Sequence, residues 1–204
     1  NNATSVFKEI ENEIVLMRLI GSAPSILNCY GFVQSGDEMK IVLEIAKYGS
    51  LDRMLASLDQ YPDIPLALNI RWLMDIASAL VHIHGKGVKH NDVKPANLLV
   101  FEAYRLKLCD FGLAKEQQTI RAGNTVMLFG TQSFMAPELL MRQAYTWASD
   151  IFSWAMTAVQ IMTRAPPRFG VDAETLVSKA LASLDGGGIL QVGDLRVLLL
   201  ECMY

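Results

Sequence analysis

The chain has 204 residues, a formal net charge of −3 and an apolar share of 51%. This length and composition predict a soluble globular protein with a sizeable core, and they exclude a disordered chain. Acidic and basic residues are mixed along the sequence, so we predict no basic surface for nucleic acid. The longest strongly apolar stretch, Ile151–Met162, contains three polar residues and is too short to cross a bilayer, so we predict no membrane span.

The first quarter of the chain predicts a small unit of one helix and one hairpin. Apolar residues at helical spacing are followed by the helix breaker Gly21–Ser25, and two apolar runs then flank a turn at residues 35–37. The predicted elements of this unit are a helix at Ser5–Ile20 and strands at Ile26–Val33 and Lys40–Ile45. A short helix at Leu51–Leu58, which Ser50 would cap, follows the unit.

The rest of the chain predicts a mainly helical body, which makes the expected fold class α+β. Gly85 and Gly87 end a long amphipathic helix, and the polar, non-periodic segment 114–134 predicts a functional or mobile loop. The predicted helices are Leu66–His84, Pro137–Met141, Ala148–Thr163, Ala173–Leu184 and Leu195–Cys202, and the predicted strands are Asn97–Phe101 and Arg105–Cys109.

The three cysteines, Cys29, Cys109 and Cys202, are far apart and lie among apolar neighbours. An odd number at such spacing favours buried free thiols in a reducing compartment over a disulfide or a metal site. No secretory signal is visible in the sequence. We therefore expect a cytoplasmic protein.

Polar side chains flank the two short predicted strands. Asp92, Lys94 and Asn97 come before or at the start of the first strand, and Asp110 follows the second. Asn97 and Asp110 offer the hard oxygen ligands that suit Mg²⁺. Asp92 could orient and deprotonate a hydroxyl, and Lys94 could reach the same phosphoryl oxygens, as phosphoryl transfer requires. Taken singly, each residue has a plainer interpretation, as a solvated surface pair or as a turn residue.

Several motifs in order resemble those of the protein kinase superfamily, in its serine/threonine branch. The matching segments are the catalytic loop His90–Asn97, the metal-binding motif Asp110–Gly112, Gly130–Thr131, the motif Met135–Glu138 that closes the activation segment, and Ser149–Trp154. The resemblance covers nearly the whole chain. It implies a bilobal protein-kinase-like fold, with a partial N-lobe of one helix and a hairpin over residues 1–46 and a mainly α-helical C-lobe, incomplete at its C-terminus, over residues 47–204.

The resemblance also implies catalytic roles. Asp92 would be the catalytic base, and Lys94 would be the cation on the phosphate side. Asn97 and Asp110 would be the Mg²⁺ ligands, and Thr131 would form the floor beneath the substrate hydroxyl. The implied activity is transfer of the γ-phosphoryl group of Mg-ATP to Ser or Thr hydroxyls of a protein substrate, with a regulatory protein as a further partner.

A nucleotide site is implied in the same way. Leu43 would guard the back of the adenine pocket, and Leu99 would lie beneath the adenine ring. Between them, backbone groups of Glu44 and Ala46 would meet the adenine, as the hinge of the family does. Glu13 has the spacing of the glutamate in the family's regulatory helix.

Glu9 and Glu11 are close rivals of Glu13 for that role, since many helical acids only face water. Neither a glycine-rich loop nor a strand lysine precedes the first helix, and the chain begins at Asn1 rather than with Met. We therefore expect a kinase domain truncated at both ends, and we leave open whether this chain is active as it stands.

Asn91 stands where most of the family has the arginine that receives an activation-loop phosphate. We therefore expect phosphorylation of Thr119 or Thr125 to change activity little. Two other interpretations stay open: a non-catalytic kinase-like module that acts through protein binding, and a small-molecule phosphotransferase of related fold. The retained polar residues of the catalytic loop disfavour the first, and the segment Ala136–Glu138 disfavours the second.

Overall fold

The computed structural model describes residues 13–35, 38–112, 114–116, 132–168, 170–171, 173–182, 199 and 201–203. Three single-turn 3₁₀ helices lie at Pro95–Asn97, Glu102–Tyr104 and Gln132–Phe134. The main elements in these ranges are α1 (residues 13–20), β1 (Cys29–Ser35), β2 (Glu38–Leu43), α2 (Leu51–Ala56), α3 (Leu66–Gly85), β3 (Val88–Lys89), β4 (Leu98–Val100), β5 (Leu106–Leu108), β6 (Lys115–Glu116), α4 (Pro137–Leu140), α5 (Trp147–Thr163) and α6 (Ala173–Ala182).

The described strands pair as three antiparallel two-stranded sheets, β1–β2, β3–β6 and β4–β5. The predicted hairpin is confirmed, but its first strand begins at Cys29 rather than at Ile26. Ile26 instead forms a parallel bridge with Leu108 of β5, and the N–H of Leu27 donates to the carbonyl of Leu108 over 3.0 Å. These contacts tie the base of the hairpin to the helical body.

The core of that body forms where α3 packs against α5. The side chains of Trp72, Ile76 and Ile83 on α3 are at most 1% exposed. Trp154 of α5 reaches across, and its Nε1–H donates to the carbonyl of Leu73 over 3.2 Å. Burial of this many large apolar side chains supplies the main driving force for the fold.

Helix α5 begins one residue before its predicted start because Thr146 caps it. The hydroxyl of Thr146 accepts from the N–H of Ser149, and the hydroxyl of Ser149 accepts from the N–H of Thr146. Ser50 occupies the N-cap position of α2, but its side chain makes no capping hydrogen bond, so that part of the prediction was wrong. The backbone of Ser50 forms a bridge with Leu99 instead.

Helix α3 has the length and apolar composition that crossing a membrane would require, and it is the one such helix in the described part of the chain. Its apolar side packs into the core just described. The three cysteines are free, as predicted. Cys109 is buried, whereas Cys29 and Cys202 are partly exposed, so the prediction of burial holds fully for one of them.

Candidate active site

The catalytic-loop residues predicted from the sequence lie in direct contact. Asp92 Oδ2 forms an ion pair with the ammonium group of Lys94 at 2.7 Å, and it accepts a hydrogen bond of 2.9 Å from the side-chain amide of Asn97. The same amide also donates to the backbone carbonyl of Asp92 over 2.9 Å. Asn97 ends a 3₁₀ turn that starts at Pro95, whose fixed φ suits the first position of such a turn. One carboxylate, one ammonium and one amide therefore form a single unit at the head of β4.

The backbone of this loop is held from α5 by Asp150. Asp150 Oδ2 accepts from the N–H of His90 at 2.9 Å, and Oδ1 accepts from the N–H of Asn91 at 2.8 Å. The side chain of Asp150 is fully buried. His84 also contacts it, with 2.8 Å between His84 Nε2 and Asp150 Oδ2. Because Asp150 lies on another helix, no local sequence pattern indicates this contact of His84.

His90 joins the catalytic loop to the segment that carries Asp110. Its Nδ1 accepts from the N–H of Asp92 at 3.3 Å, so Nε2 carries the proton and donates to the carbonyl of Cys109 at 3.0 Å. The ring packs edge-on against Phe111, with 5.2 Å between the ring centroids. Burial lowers the pKa of His90, which keeps this ring neutral. His90 therefore has a structural role at this site.

Asp110 lies two residues beyond the end of β5, beside the catalytic loop. The N–H of Cys109 donates to the carbonyl of Asn97 over 3.0 Å, which brings the two predicted Mg²⁺ ligands to adjacent backbone positions. Asp110 has a φ of 63°, a conformation that aspartate adopts more readily than most residues. Its Oδ1 accepts from the N–H of Gly112 at 3.3 Å.

Glu13 of α1 lies close enough to the Asp110–Gly112 motif to interact with Asp110 and with the backbone of Phe111. Burial raises the pKa of Glu13, the charge of Asp110 raises it further, and a hydrogen bond from the backbone of Phe111 opposes both. The same surroundings raise the pKa of the Cys109 thiol to about 12, mainly through burial, with smaller contributions from Asp110 and Glu13. The negative charges of Glu13 and Asp110 therefore repel each other in a partly buried space, where a cation would be stabilised.

Asn97 and Asp110 fit Mg²⁺ better than a metal ion whose ligands all come from protein side chains. The described residues contain no group of three or more His, Cys, Asp or Glu that could hold a metal ion by itself. Mg²⁺ is usually held by one or two protein oxygens together with water and phosphate oxygens. Because the amide nitrogen of Asn97 is committed to Asp92, its amide oxygen faces away from that residue. Asn97 and Asp110 can therefore offer two oxygen ligands.

The predicted hinge leaves β2 and runs toward α2. Leu43 is the last residue of β2, and Glu44 follows with its N–H bonded to the carbonyl of Asn28 at 3.1 Å. Residues 45–47 make no backbone hydrogen bond to any other described residue. Leu99 lies on β4, opposite Lys107 of β5. The backbone carbonyl of Glu44 and the N–H of Ala46 thus stay available to a ligand within the described part of the chain.

The closing motif Met135–Glu138 is attached to the start of α5. The hydroxyl of Ser149 donates to Glu138 Oε1 at 2.6 Å, and the hydroxyl of Ser153 donates to the carbonyl of Phe134 at 2.8 Å. Thr131, like Thr119 and Thr125, lies outside the described residues, so its predicted role stays a prediction.

Sequence reasoning missed the side chain of Lys107, which binds Glu44 at 2.6 Å. The alternation of apolar and polar residues along β5 does indicate on which face of the strand Lys107 lies. Leu106 and Leu108 are at most 1% exposed, which places Lys107 on the opposite face of the strand.

The family model of the protein kinase domain matches residues 1–186 of this chain. The chain belongs to the protein kinase domain family. A probable serine/threonine-protein kinase of Dictyostelium discoideum is 30% identical to this kinase domain over 188 residues, which are 89% of this chain and 20% of that protein. A second protein so named, from the same organism, is 32% identical over 184 residues, which are 83% of this chain and 43% of that protein.

Mitogen-activated protein kinase kinase kinase 7 of Drosophila melanogaster is similar to the same extent. It is 32% identical over 174 residues, which are 83% of this kinase domain and 25% of that protein. The chain thus spans between 20% and 43% of the length of these three relatives.

Proposed function

We propose that this kinase domain binds Mg-ATP and transfers the γ-phosphoryl group to a serine or threonine hydroxyl of a protein substrate. The observation that carries the proposal is the unit of Asp92, Lys94 and Asn97, with Asp110 joined to it through the backbone. Packing alone requires none of these four polar groups. Membership of the family and the serine/threonine kinases among its relatives support the same reaction.

Each residue of the unit has a task that its contacts allow. Asp92 would orient the attacking hydroxyl and accept its proton, because its carboxylate is held in place at the head of β4. Lys94, whose ammonium group lies 2.7 Å from Asp92 Oδ2, would place positive charge beside the transferred group. Asn97 and Asp110 would hold Mg²⁺, which when bound neutralises phosphate charge. The backbone at Glu44 and Ala46, with Leu99, would receive the adenine.

Nucleotide binding is the first test. Titration of the chain with Mg-ATP, followed by calorimetry, should show binding that Asp110→Asn weakens strongly, because that change removes a charged metal ligand. Asp59→Asn is the matched control, since Asp59 is an exposed acid far along the sequence from the site. Absence of binding at millimolar nucleotide would contradict the proposal and favour a non-catalytic module that acts through protein binding.

Phosphoryl transfer is the second test. With a mixed protein substrate, we expect phosphoserine and phosphothreonine but no phosphotyrosine. Asp92→Asn should lower kcat by about 10²- to 10⁴-fold and leave the affinity for Mg-ATP nearly unchanged, because the residue acts on the hydroxyl. An Asp92→Asn chain with normal turnover would contradict the role assigned to it.

The cellular setting belongs to the same proposal. Free cysteines, with Cys109 buried, fit a reducing compartment, and we place the protein in the cytoplasm. Its partners would be the protein substrate and a regulatory protein. Fractionation of cells that express a tagged chain tests the location, since enrichment with membranes or in the medium would contradict it.

A further inference from the structure

The carboxylate of Glu44 is held on several sides. Glu44 Oε1 accepts from Lys107 Nζ at 2.6 Å and from the N–H of Asn28 at 2.9 Å, and Oε2 accepts from the Asn28 amide at 3.4 Å. The side chains of Glu44 and Lys107 are only 13% and 16% exposed. An ion pair so shielded from water is stronger than an exposed pair, because both the dielectric constant and the ionic screening around it are lower.

Lys107 lies on the face of the β4–β5 hairpin that carries Leu99. Leu99 and Lys107 are cross-strand partners, and partners across an antiparallel pair point to the same face. The ammonium group of Lys107 also lies 4.8 Å from the centroid of the Phe101 ring, which confines it further. The ion pair therefore links the predicted hinge to the strand that leads to Asp110.

The segment between β2 and α2 is anchored at its two ends. At the far end, the N–H of Tyr48 donates to the carbonyl of Val100 at 3.0 Å, and the N–H of Val100 donates to the carbonyl of Gly49 at 2.8 Å. At the near end, Glu44 supplies both a backbone bond to Asn28 and the ion pair with Lys107. Residues 45–47 between these anchors have no backbone hydrogen bond within the described part of the chain.

We propose that Glu44 and Lys107 are positioning residues for the nucleotide, because their ion pair fixes the backbone of residues 44–46 relative to β5. The inference rests on the proposed function and adds two side chains to it. A segment held in place before binding loses less conformational freedom when the ligand arrives. Without the pair, the nucleotide has to order residues 44–46 itself, so its affinity falls.

The rate of the chemical step should not depend on this pair. Asp92 and Asp110 are held by other contacts, from Asp150, His90 and the backbone of Asn97. A saturating concentration of ATP should therefore restore normal turnover. This separates a positioning role from a role in catalysis.

The test compares Glu44→Gln, Lys107→Gln and the double variant with the unchanged chain. Each single change should raise the Kd and the KM for Mg-ATP about tenfold, the order of effect expected from the loss of one charged hydrogen bond. The double variant should be no worse than either single one, since both remove the same pair. Lys107→Arg keeps the charge and should restore most of the affinity. The kcat value at saturating ATP and the KM for the protein substrate should stay unchanged.

Glu102→Gln is the matched control. It breaks the ion pair of Lys47 with Glu102, which also touches this segment but is exposed, with side chains 53% and 81% accessible. We expect no change of nucleotide affinity from it. Hydrogen exchange of the amides of residues 45–47, measured without nucleotide, should become faster in the Glu44 and Lys107 variants and not in the control.

The outcomes separate the inference from the proposed function. If the unchanged chain binds no Mg-ATP, the proposed function and the inference fall together. If it binds and the variants bind equally well, only the inference is overturned. A lower melting temperature with unchanged Kd and unchanged exchange at residues 45–47 would show a purely structural pair and would also overturn it. Should Glu44→Gln fail to fold, Lys107→Gln and Lys107→Arg carry the same comparison.

Discussion

Asp150 Oδ1 accepts a hydrogen bond of 2.8 Å from the backbone N–H of Asn91, a buried residue with a φ of 67°. Asparagine is among the few residues other than glycine that adopt this left-handed conformation readily. The second carboxylate oxygen holds the N–H of His90 and contacts His84. A single buried side chain on α5 thus sets the path of the backbone immediately before Asp92.

Asp150→Asn should damage both stability and catalysis. The variant has nearly the same shape, but one acceptor oxygen becomes an N–H₂ group that faces backbone N–H donors. We expect a loss of about 2–4 kcal/mol in the free energy of unfolding, as for other broken networks of buried charged groups. Urea unfolding measures this, with the exposed Asp59→Asn as control. A fall in kcat should accompany it, and an unchanged midpoint would contradict the anchoring role.

Activation-loop phosphate should have little influence on activity. A phosphate needs a cation to order a loop, and position 91 carries a neutral amide. Alanine at Thr119 and at Thr125, or phosphatase treatment, should change kcat/KM by less than about twofold. Asn91→Arg should introduce sensitivity to loop phosphate. A large change of rate when phosphate is removed from the unchanged chain would contradict this prediction.

Glu13→Gln should stabilise the nucleotide-free protein at neutral pH. Burial and Asp110 raise the pKa of Glu13 in the folded state, so the folded protein holds its proton more tightly than the unfolded chain. The stability from this group is present below its ordinary pKa of 4.5 and is lost as the pH rises through the folded value. At pH 7 the variant should melt about 1–3 °C higher, with a smaller difference near pH 4.

Glutamine still accepts the hydrogen bond from the Phe111 backbone, so the pH dependence reports the charge. Calorimetric scans across this pH range provide the measurement, and Asp59→Asn shows what the loss of an exposed acid does. A Glu13→Gln chain that melts lower than the unchanged chain at pH 7 would refute the repulsion between Glu13 and Asp110. Binding of Mg-ATP should weaken in the same variant if Glu13 has its predicted role.

Asp75→Ala should loosen the β4–β5 hairpin from α3. The buried carboxylate of Asp75 forms a two-pronged pair with Arg105, at 2.6 and 3.0 Å, and accepts from the N–H of Leu106 at 3.0 Å. Arg105 is half exposed, so we expect a moderate cost of about 2 kcal/mol. The melting temperature should fall by about 4–8 °C. Asp59→Ala is the control, and equal melting temperatures would contradict the proposed anchor.

The long helices could be predicted closely because their signals are local. The predicted helix Leu66–His84 matches α3 to within one residue, and the same holds for Ala148–Thr163 and α5. The bounds of the short strands could be predicted less closely. The start of β1 depends on the bridge between Ile26 and Leu108, which joins segments that are distant in sequence.

In the candidate site, too, contacts between residues close in sequence could be predicted, whereas contacts between distant residues could not. Asp92, Lys94 and Asn97 are close in sequence, so a motif could place them together. The pair of Glu44 and Lys107 joins residues 63 positions apart, and no local pattern indicates its partner. For Ser50 the local pattern was misleading. A serine before a helix predicts a capping hydrogen bond, but the side chain of Ser50 makes none, and its backbone pairs with Leu99.

The contacts of Asp150 also determine when the site can form during folding. They join residues 59, 60 and 66 positions apart, whereas the hairpin that leads to Asp110 closes over a few residues. Short loops close early and long ones late, because closing a long loop costs more chain entropy. In a refolding experiment, helical signal and hairpin protection should therefore recover before nucleotide binding does. The catalytic loop would be among the last parts of the chain to reach its native conformation.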